Sequence, residues 1–518
     1  MAVLEMDLPE TLYGLQIKEG HGDGDSSPGL QSGRPVPEVL RQIRDSLGDM
    51  RSSSEHQPGI VNNIRKLFET GSAHWLFSAC CTNADSDMVK VYSDLLDSVT
   101  GLAALPLCET ESGDLPDSAY ADIPRLAAAV CTVLQALISR LGDGPENLHS
   151  DRTSTSMRAL ACALAPPVCM FAVTHLQEQP WTDESSRAAA LRLLDTLVHT
   201  CGLGSVTQFL CEWNPHGHAG VLGIVLNILK PQMQKDCWKQ NQATKHVFAW
   251  FLTQVRRPWL VEYLESVFPP SLLISDDYRT ENKVLGVCCL HHIVLNVPAA
   301  DLRQYNRAHV LYHALFNHLY TPEAPLMEVV LPCLLDLLSV LEKPCRSTDA
   351  PRRHNRYDKV FQLALTHMEM EHKLALRRVY AHNLAPFIRR MGVVIIRHLK
   401  RLERVIVGYL EVSDGPGEQS RLSILNVLEE VLRNAWPRLG CRLGTLSRAL
   451  LRMMCDVSSE PDMCPPAVRD ELLDRATQCL LLLDRSCEGR LKGALQDMDS
   501  SSCHPAMLRC IEKVRGAT

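Results

Sequence analysis

Two adjacent cysteines and two adjacent histidines stand in LGVCCLHHIVLNVP, residues 285–298. On a helix, Cys288 and His292 are spaced i, i+4 and could reach one metal ion. A structural zinc site takes four ligands, and a C-x-x-C or H-x-H turn usually supplies the second pair. The chain has no C-x-x-C, and its H-x-H, His216 and His218, lies in a Pro/Gly loop that nothing in the sequence ties to this helix. Helical spacing places Leu285, Cys288, Cys289, His292 and Leu295 on one side, with Val284, Val287 and Val294 close by. Cysteine is among the most buried residue types and behaves as a small hydrophobe. The expectation is therefore a packed helix, with the histidines at its polar margin or in a core hydrogen bond, and no metal.

Other chemistry-bearing patterns fail on spacing. There is no G-x-x-x-x-G-K-[ST], no G-x-S-x-G and no H-E-x-x-H, the arrangements that cradle phosphate, present a nucleophilic serine or hold a catalytic zinc. CGLGSV (201–206) lacks the third glycine and the preceding strand of a dinucleotide fingerprint. HMEMEH (367–372) holds two His and two Glu, but the intervals do not gather them on one helical face, and it reads as a junction between helices. No Cys/His pair stands out as a nucleophile and base. The sequence therefore points to surfaces: no catalytic residue, no cofactor and no metal are expected.

The elements that carry these residues are helical. The chain has 518 residues, 46% hydrophobic and 22% charged, with aromatics only 5%. Leu, Val and Ala supply the apolar content, which favours helix on helix over sandwiches. Leu326, Val329, Val330, Cys333, Leu337, Leu338 and Leu341 make one helical stripe, with a kink expected at Pro332. VLGIVLNIL (221–229) reads as a buried helix. ALACALAPPVCMFAVTHLQ reads as two buried helix ends meeting at a turn at Pro166-Pro167, not as a membrane span. Breaks rich in Gly, Ser, Asp and Pro fall at 109–121, 142–156, 344–356 and 413–420. Helices pair across short turns, as in 281–297, 301–319 and 323–342, at intervals of roughly 40 to 47 residues, the HEAT or armadillo spacing. The expected fold is all-α: a HEAT/armadillo-like α-solenoid of degenerate hairpins, each burying its apolar face only against its neighbours. Residues 1–36 are expected to be largely disordered, 37–156 an N-terminal helical region with long loops, and 157–518 the solenoid.

The 20 cysteines lie mostly in apolar periodic segments, as Cys333 and Cys455 do, the pattern of reduced core thiols. The first residues show no basic stretch followed by an apolar run. A cytoplasmic, and also nuclear, location follows as the expectation. The net charge of -7 and pI near 6.3 give no global attraction to nucleic acid or anionic lipid.

One local surface departs from that balance. Residues 371–404 are rich in base, and on the helix after 395 the pattern is sharp. Ile395, Leu399, Leu402, Ile406 and Tyr409 form the apolar stripe; Arg397, Lys400, Arg401 and Arg404, at i, i+3, i+4 and i+7, form a basic one. Like charges at this spacing repel by a few tenths of a kcal/mol per pair, roughly 0.2–0.5, and only Glu403 and Glu411 are near in sequence. The bland reading is a solvated face, or one neutralised by acids on an adjacent helix. The functional reading is an acidic protein partner, with Arg389 and Arg390 added to the set. Nucleic acid ranks third, for want of aromatics beyond Tyr380 and Phe387. Trp250 and Trp259, near Arg256-Arg257-Pro258, are weaker candidates.

Long stretches resemble the Tel-two-interacting protein two family, the smallest subunits of the Triple T (TTT) complex. They are MFAVTHLQEQPWT (170–182), WKQNQATKHVFAWFLTQVRRPWL (238–260), ISDDYRTENKVLGVCCLHHIVLNVPAADLRQYNRAHVLYHALFNHLYTPE (274–323), RHLKRLERVIVGYLEVSDGP (397–416) and LLLLDRSCEGRLKG (480–493). The resemblance implies a HEAT-type solenoid without catalytic residues or cofactor. It implies association with Tel-two and Tel-two-interacting protein one. It also implies a cochaperone role, with Hsp-ninety and its R-two-TP adaptor, for phosphatidylinositol three-kinase-related kinases: mTOR, ATM, ATR and DNA-PK. The alternative left by the residues alone is an α-solenoid adaptor of nuclear transport, or a nucleic-acid binder acting through the basic 371–404 region.

Overall fold

In a computed structural model, residues 35–49, 57–71, 73–77, 85–109, 115–142, 151–212, 220–235, 237–342, 353–460, 463–496 and 504–516 are described. Apart from Pro35 and Val36, the segment 1–36 expected to be disordered lies outside them, as do His216 and His218. Among the described residues every regular element is helical and none is a strand. The chain divides into two compact units, Met1–Pro270 and Ser271–Thr518.

In the first unit the main helices are α1 (Val36–Asp49), α2 (Gln57–Thr70), α3 (Asp85–Thr100), α4 (Ile123–Gly142), α5 (Asp151–Leu176), α6 (Glu184–Thr200), α7 (Val221–Gln232) and α8 (Gln242–Gln254). Contacts skip one helix: α1 packs on α3 and α3 on α5, while α2 packs on α4 and α4 on α6. Two rows of helices result, with the core between them. α4 shows why: Ile123, Leu126, Ala127, Val130, Cys131, Val133, Leu134, Leu137, Ile138 and Leu141 are buried, three to four residues per two turns on adjoining stripes.

The second unit repeats the scheme with α9 (Thr280–Asn296), α10 (Arg307–His318), α11 (Ala324–Leu341), α12 (Arg356–Met370), α13 (Leu374–Met391), α14 (Leu399–Leu410), α15 (Gln419–Asn434), α16 (Leu443–Ser459), α17 (Pro466–Ser486) and α18 (Pro505–Gly516). One row runs α9, α11, α13, α15, α17; the other holds α12, α14 and α16 in succession, with α18 packing on α16. The first row's helices begin at 280, 324, 374, 419 and 466, intervals of 44 to 50 residues. Each unit is a HEAT-like α-solenoid stack, because no helix hides its apolar stripe except between neighbours one repeat away. Asp117–Gly142 and Ala324–Leu341 are long and apolar enough to cross a membrane by length and composition, and half of each is buried in its own unit.

Several local expectations are corrected. Pro166-Pro167 makes no turn: α5 passes through both prolines, and Asp151 onward, expected to be a break, is helix. A proline in a helix interior costs about 3 kcal/mol, but Leu164, Ala165, Val168, Cys169, Ala172 and Val173 on both sides are fully buried. Each larger apolar side chain buried in full contributes about 1.5–3 kcal/mol, so packing outweighs the lost backbone bonds. The same balance lets α11 continue as helix through Pro332, the position where a kink is expected. The expected helix 301–319 is split, since Tyr305 (φ 50°) and Asn306 (φ 62°) are left-handed and the chain turns there from a short helix, Ala299–Arg303, into α10. Asparagine tolerates that region better than most residues.

The helix of the opening motif is rotated from its expected setting. Asn282, Gly286, Cys289, Ile293, Val287, Leu290 and Val294 are buried, whereas Cys288 is exposed and Leu295 is 52% exposed. The cause is Gly286, which sits in the middle of the buried face. A Cβ there would lie 2.2 Å from the Ser275 backbone nitrogen, so the glycine face alone can approach that backbone. Cys455 is likewise exposed rather than core, though most described cysteines are buried and all are free thiols. HMEMEH is a junction, as expected: α12 ends at Met370 and α13 begins at Leu374.

Candidate partner-docking surface

α14 is strongly two-faced. Leu399, Leu402, Val405, Ile406, Tyr409 and Leu410 are buried, and so is Ile395 just before it, which leaves the cations on the open side. Arg397 is not on this α-helix; it sits in the 3₁₀ segment Gly392–His398 that leads into it.

That segment is tied down by a buried acid on α12. Asp358 is 1% exposed. Its Oδ1 lies 2.7 Å from His398 Nε2 and its Oδ2 3.5 Å from Arg397 Nη1. Oδ2 also accepts from the Asn355 backbone N–H at 3.0 Å, while the Asn355 side chain accepts from the Asp358 N–H, closing a capping box. Burial pushes the Asp358 carboxyl up. The Asn355 N–H, His398 and the charge of His354 together outweigh it, and the pKa falls below its ordinary 3.8.

Arg401 reaches back to α12 as well. Its Nη2 lies 2.8 Å from Glu369 Oε2 and 2.9 Å from Thr366 Oγ1. The hydrogen bond from Arg401 holds the Glu369 carboxyl below its usual value. Glu403 is buried and pairs with Arg442, and Glu411 accepts from Arg452 at 3.3 Å. On α13, Arg389 pairs with Glu430 of α15 at 2.9 Å. Arg378 binds Asp414 at 3.0 Å. The Arg377 guanidinium lies 3.8 Å over the Tyr409 ring centroid, donating to the Glu371 and Gly408 carbonyls.

The expected basic set is thus divided. Arg397, Arg401 and Arg389 hold neighbouring helices by ion pairs, so the stripe is not unrelieved. Lys400, Arg404 and Arg390 are exposed and make no ion pair within 4 Å among the described residues. On the two helices flanking α14, two further cations of that kind escaped the sequence reading: Lys359 on α12 and Arg448 on α16, both exposed and without an ion pair among the described residues. α14 packs on both of these helices. The available signal was the repeat itself: Lys359 precedes Lys400, and Arg404 precedes Arg448, by about one hairpin of roughly 40–47 residues.

Elsewhere, His291 Nε2 lies 2.9 Å from Asp336 Oδ2 on α11, a bond between packed helices. Among the described residues no group of three or more His, Cys, Asp or Glu could hold a metal ion. Trp250 and Trp259 are half-buried. Buried thiols are pushed up by burial, Cys131 and Cys479 to about 12, which leaves them protonated and poorly nucleophilic near neutrality.

Comparison with known proteins adds a lineage. The model of the Tti2 family matches residues 218–416, which include α9 to α14. TELO2-interacting protein 2 of Homo sapiens is 48% identical over 413 residues, covering 80% of this chain and 80% of that protein. The Rattus norvegicus protein of the same name is 41% identical over 504 residues, covering 96% and 97%, and that of Mus musculus 46% over 397, covering 76% and 77%. Among solved structures, an importin beta crystal structure superposes with a TM-score of 0.46 at 12% identity, covering 92% of this chain and 57% of that one; that likeness is too loose to bear on function.

Proposed function

This chain belongs to the Tti2 family, and on that premise we propose that it is a non-catalytic scaffold subunit that binds TELO2. The observation that carries the reading is the name shared by relatives 41–48% identical over most of their length, which states an interaction with TELO2. In the finer reading, the chain joins TELO2 and Tel-two-interacting protein one in the Triple T complex. That complex works with Hsp-ninety and R-two-TP in the maturation and stability of phosphatidylinositol three-kinase-related kinases, among them mTOR, ATM, ATR and DNA-PK, in cytoplasm and nucleus.

Stacked hairpins support such a role physically. They present a long face whose area grows with repeat number, and stable assemblies of this kind bury on the order of 2,000 Å² or more. No turnover is required of such a surface.

The test is reconstitution. Full-length chain co-expressed with TELO2 and Tel-two-interacting protein one should co-elute with them on gel filtration as one species. Depleting the chain from cells should lower the kinases' steady-state levels. Separate elution, with kinase levels unchanged on depletion, would overturn the reading.

A further inference from the structure

We propose that α12, α14 and α16 carry a cation strip, Lys359, Lys400, Arg404 and Arg448, that docks an acidic segment of a protein partner. The inference rests on the reading of the chain as a partner-binding subunit and adds the place and the chemistry.

The strip is defined by what the ion pairs leave over. The four side chains lie on the exposed faces of three helices that pack in succession. The acids that could neutralise them are committed. Asp358 is held by His398, Arg397 and a capping box; Glu403 is taken by Arg442, Glu411 by Arg452 and Asp456 by Arg421; Glu369 is bound by Arg401, and the Arg404 charge acts on it only from beyond ion-pair distance. Lys400 and Arg404 repel at i, i+4, as do Arg448 and Arg452. An acidic ligand would relieve both pairs at once.

The charge also selects the class of ligand. These faces carry no exposed aromatic ring on which a base could stack, and the chain as a whole is at -7, which opposes a long polyphosphate. Leu363, Val407 and Leu451, one helical turn from Lys359, Arg404 and Arg448, are half-buried, and the exposed Met370 at the end of α12 is a single apolar side chain, too little to anchor on a bilayer. A carboxylate-bearing peptide needs neither, and complementary charge of this kind steers encounter and fixes register.

The experiment compares three full-length proteins: wild type, the strip variant (Lys359→Glu, Lys400→Glu, Arg404→Glu, Arg448→Glu), and a control reversing Lys66, Lys90, Lys230 and Lys235, all exposed in the first unit. The probe is fluorescein-labelled polyglutamate of about 20 residues, read by anisotropy at roughly 0.05 to 0.3 M salt. The strip variant should bind about tenfold more weakly or worse, the control near wild type, and wild-type binding should weaken as salt rises. Equal loss in both variants would overturn the strip. So would tighter wild-type binding to single-stranded DNA of equal length, or to phosphatidylserine vesicles. Should reversal unfold the chain, Lys400→Gln with Arg404→Gln leaves every named ion pair in place and should show a smaller loss of the same sign. Purified TELO2 separates the two readings. Capture by wild type and strip variant alike sinks the strip and leaves the proposed function standing. Failure of wild type to capture TELO2 sinks the function, and the polyglutamate arm then judges the strip alone.

Discussion

Gly286→Ala should destabilise the second unit, against the ordinary rule for glycine in a helix. Alanine is favoured over glycine in a helix interior by about 1 kcal/mol, so propensity alone predicts a gain. The structure opposes it. The new methyl carbon would sit 2.2 Å from the Ser275 nitrogen, 2.5 Å from its Cα and 2.8 Å from the Ile274 carbonyl carbon. These are backbone atoms, held by Ile274 and Ser275, which are buried at 0% and 1% exposure. No side-chain rotation relieves the overlap; α9 must move off by more than an ångström and open the contacts of Val287, Leu290 and Ile293. Overpacking of this sort costs about 1–3 kcal/mol, sometimes more, so the net loss should be on the order of 1–2 kcal/mol after the propensity gain. The matched control is Gly408→Ala in α14, where an added Cβ meets nothing within 4 Å and up to about 1 kcal/mol of stabilisation is expected. Urea midpoints and melting temperatures of the three full-length proteins, followed by helical circular dichroism, read the opposite signs directly. If both substitutions raise the midpoint, the close approach at Ser275 is absent and the account of how α9 is rotated fails with it.

Three other outcomes follow from the ion pairs and buried rings. Asp358→Asn should cost about 1–3 kcal/mol, since it takes the anion from the buried hydrogen bond to His398 and from the ion pair with Arg397. Because the folded carboxyl lies below its ordinary 3.8, its contribution is complete above that value and is lost as pH falls through the folded pKa; the variant should therefore flatten the acid limb of stability measured from pH 5 downward. His175 is 1% exposed and rests on Phe171, and burial lowers its pKa from 6.5 to about 4. Its folded form is neutral, so stability present above 6.5 declines as pH drops toward 4. His175→Phe should remove that decline, and an unchanged slope in melting temperature between pH 7 and 5 would contradict the burial. For Arg401 and Glu369, whose side chains are 33% and 23% exposed, a double-mutant cycle should return only about 0–1 kcal/mol of coupling; several kcal/mol would mean the pair bears more of the α12–α14 contact than its geometry suggests.

How much could be read beforehand depends on the range of the interaction. The stripe of Leu326, Val330, Cys333 and Leu337 was legible because helical spacing alone gathers those residues, and all four are buried. The junction at HMEMEH was legible for the same local reason. The rotation of α9 was not, because two apolar stripes compete around that helix and the choice is made by Ser275, outside the motif. Pro166-Pro167 misled because the local cost of proline is visible in sequence, while the packing on both sides that offsets it is not.

The basic surface divides in the same way. Sequence alone determined an all-helical, hairpin-based chain, an excess of cations on α14 and no motif for catalysis, since each of these follows from residue type and short spacing. Tertiary structure decided which cations are spent. Arg397 and Arg401 meet Asp358 and Glu369, and Arg404 stays open, because stacking sets side by side residues that are a full repeat apart along the chain. Charges interact over a few ångströms, and only the stacked helices determine which charges come that close.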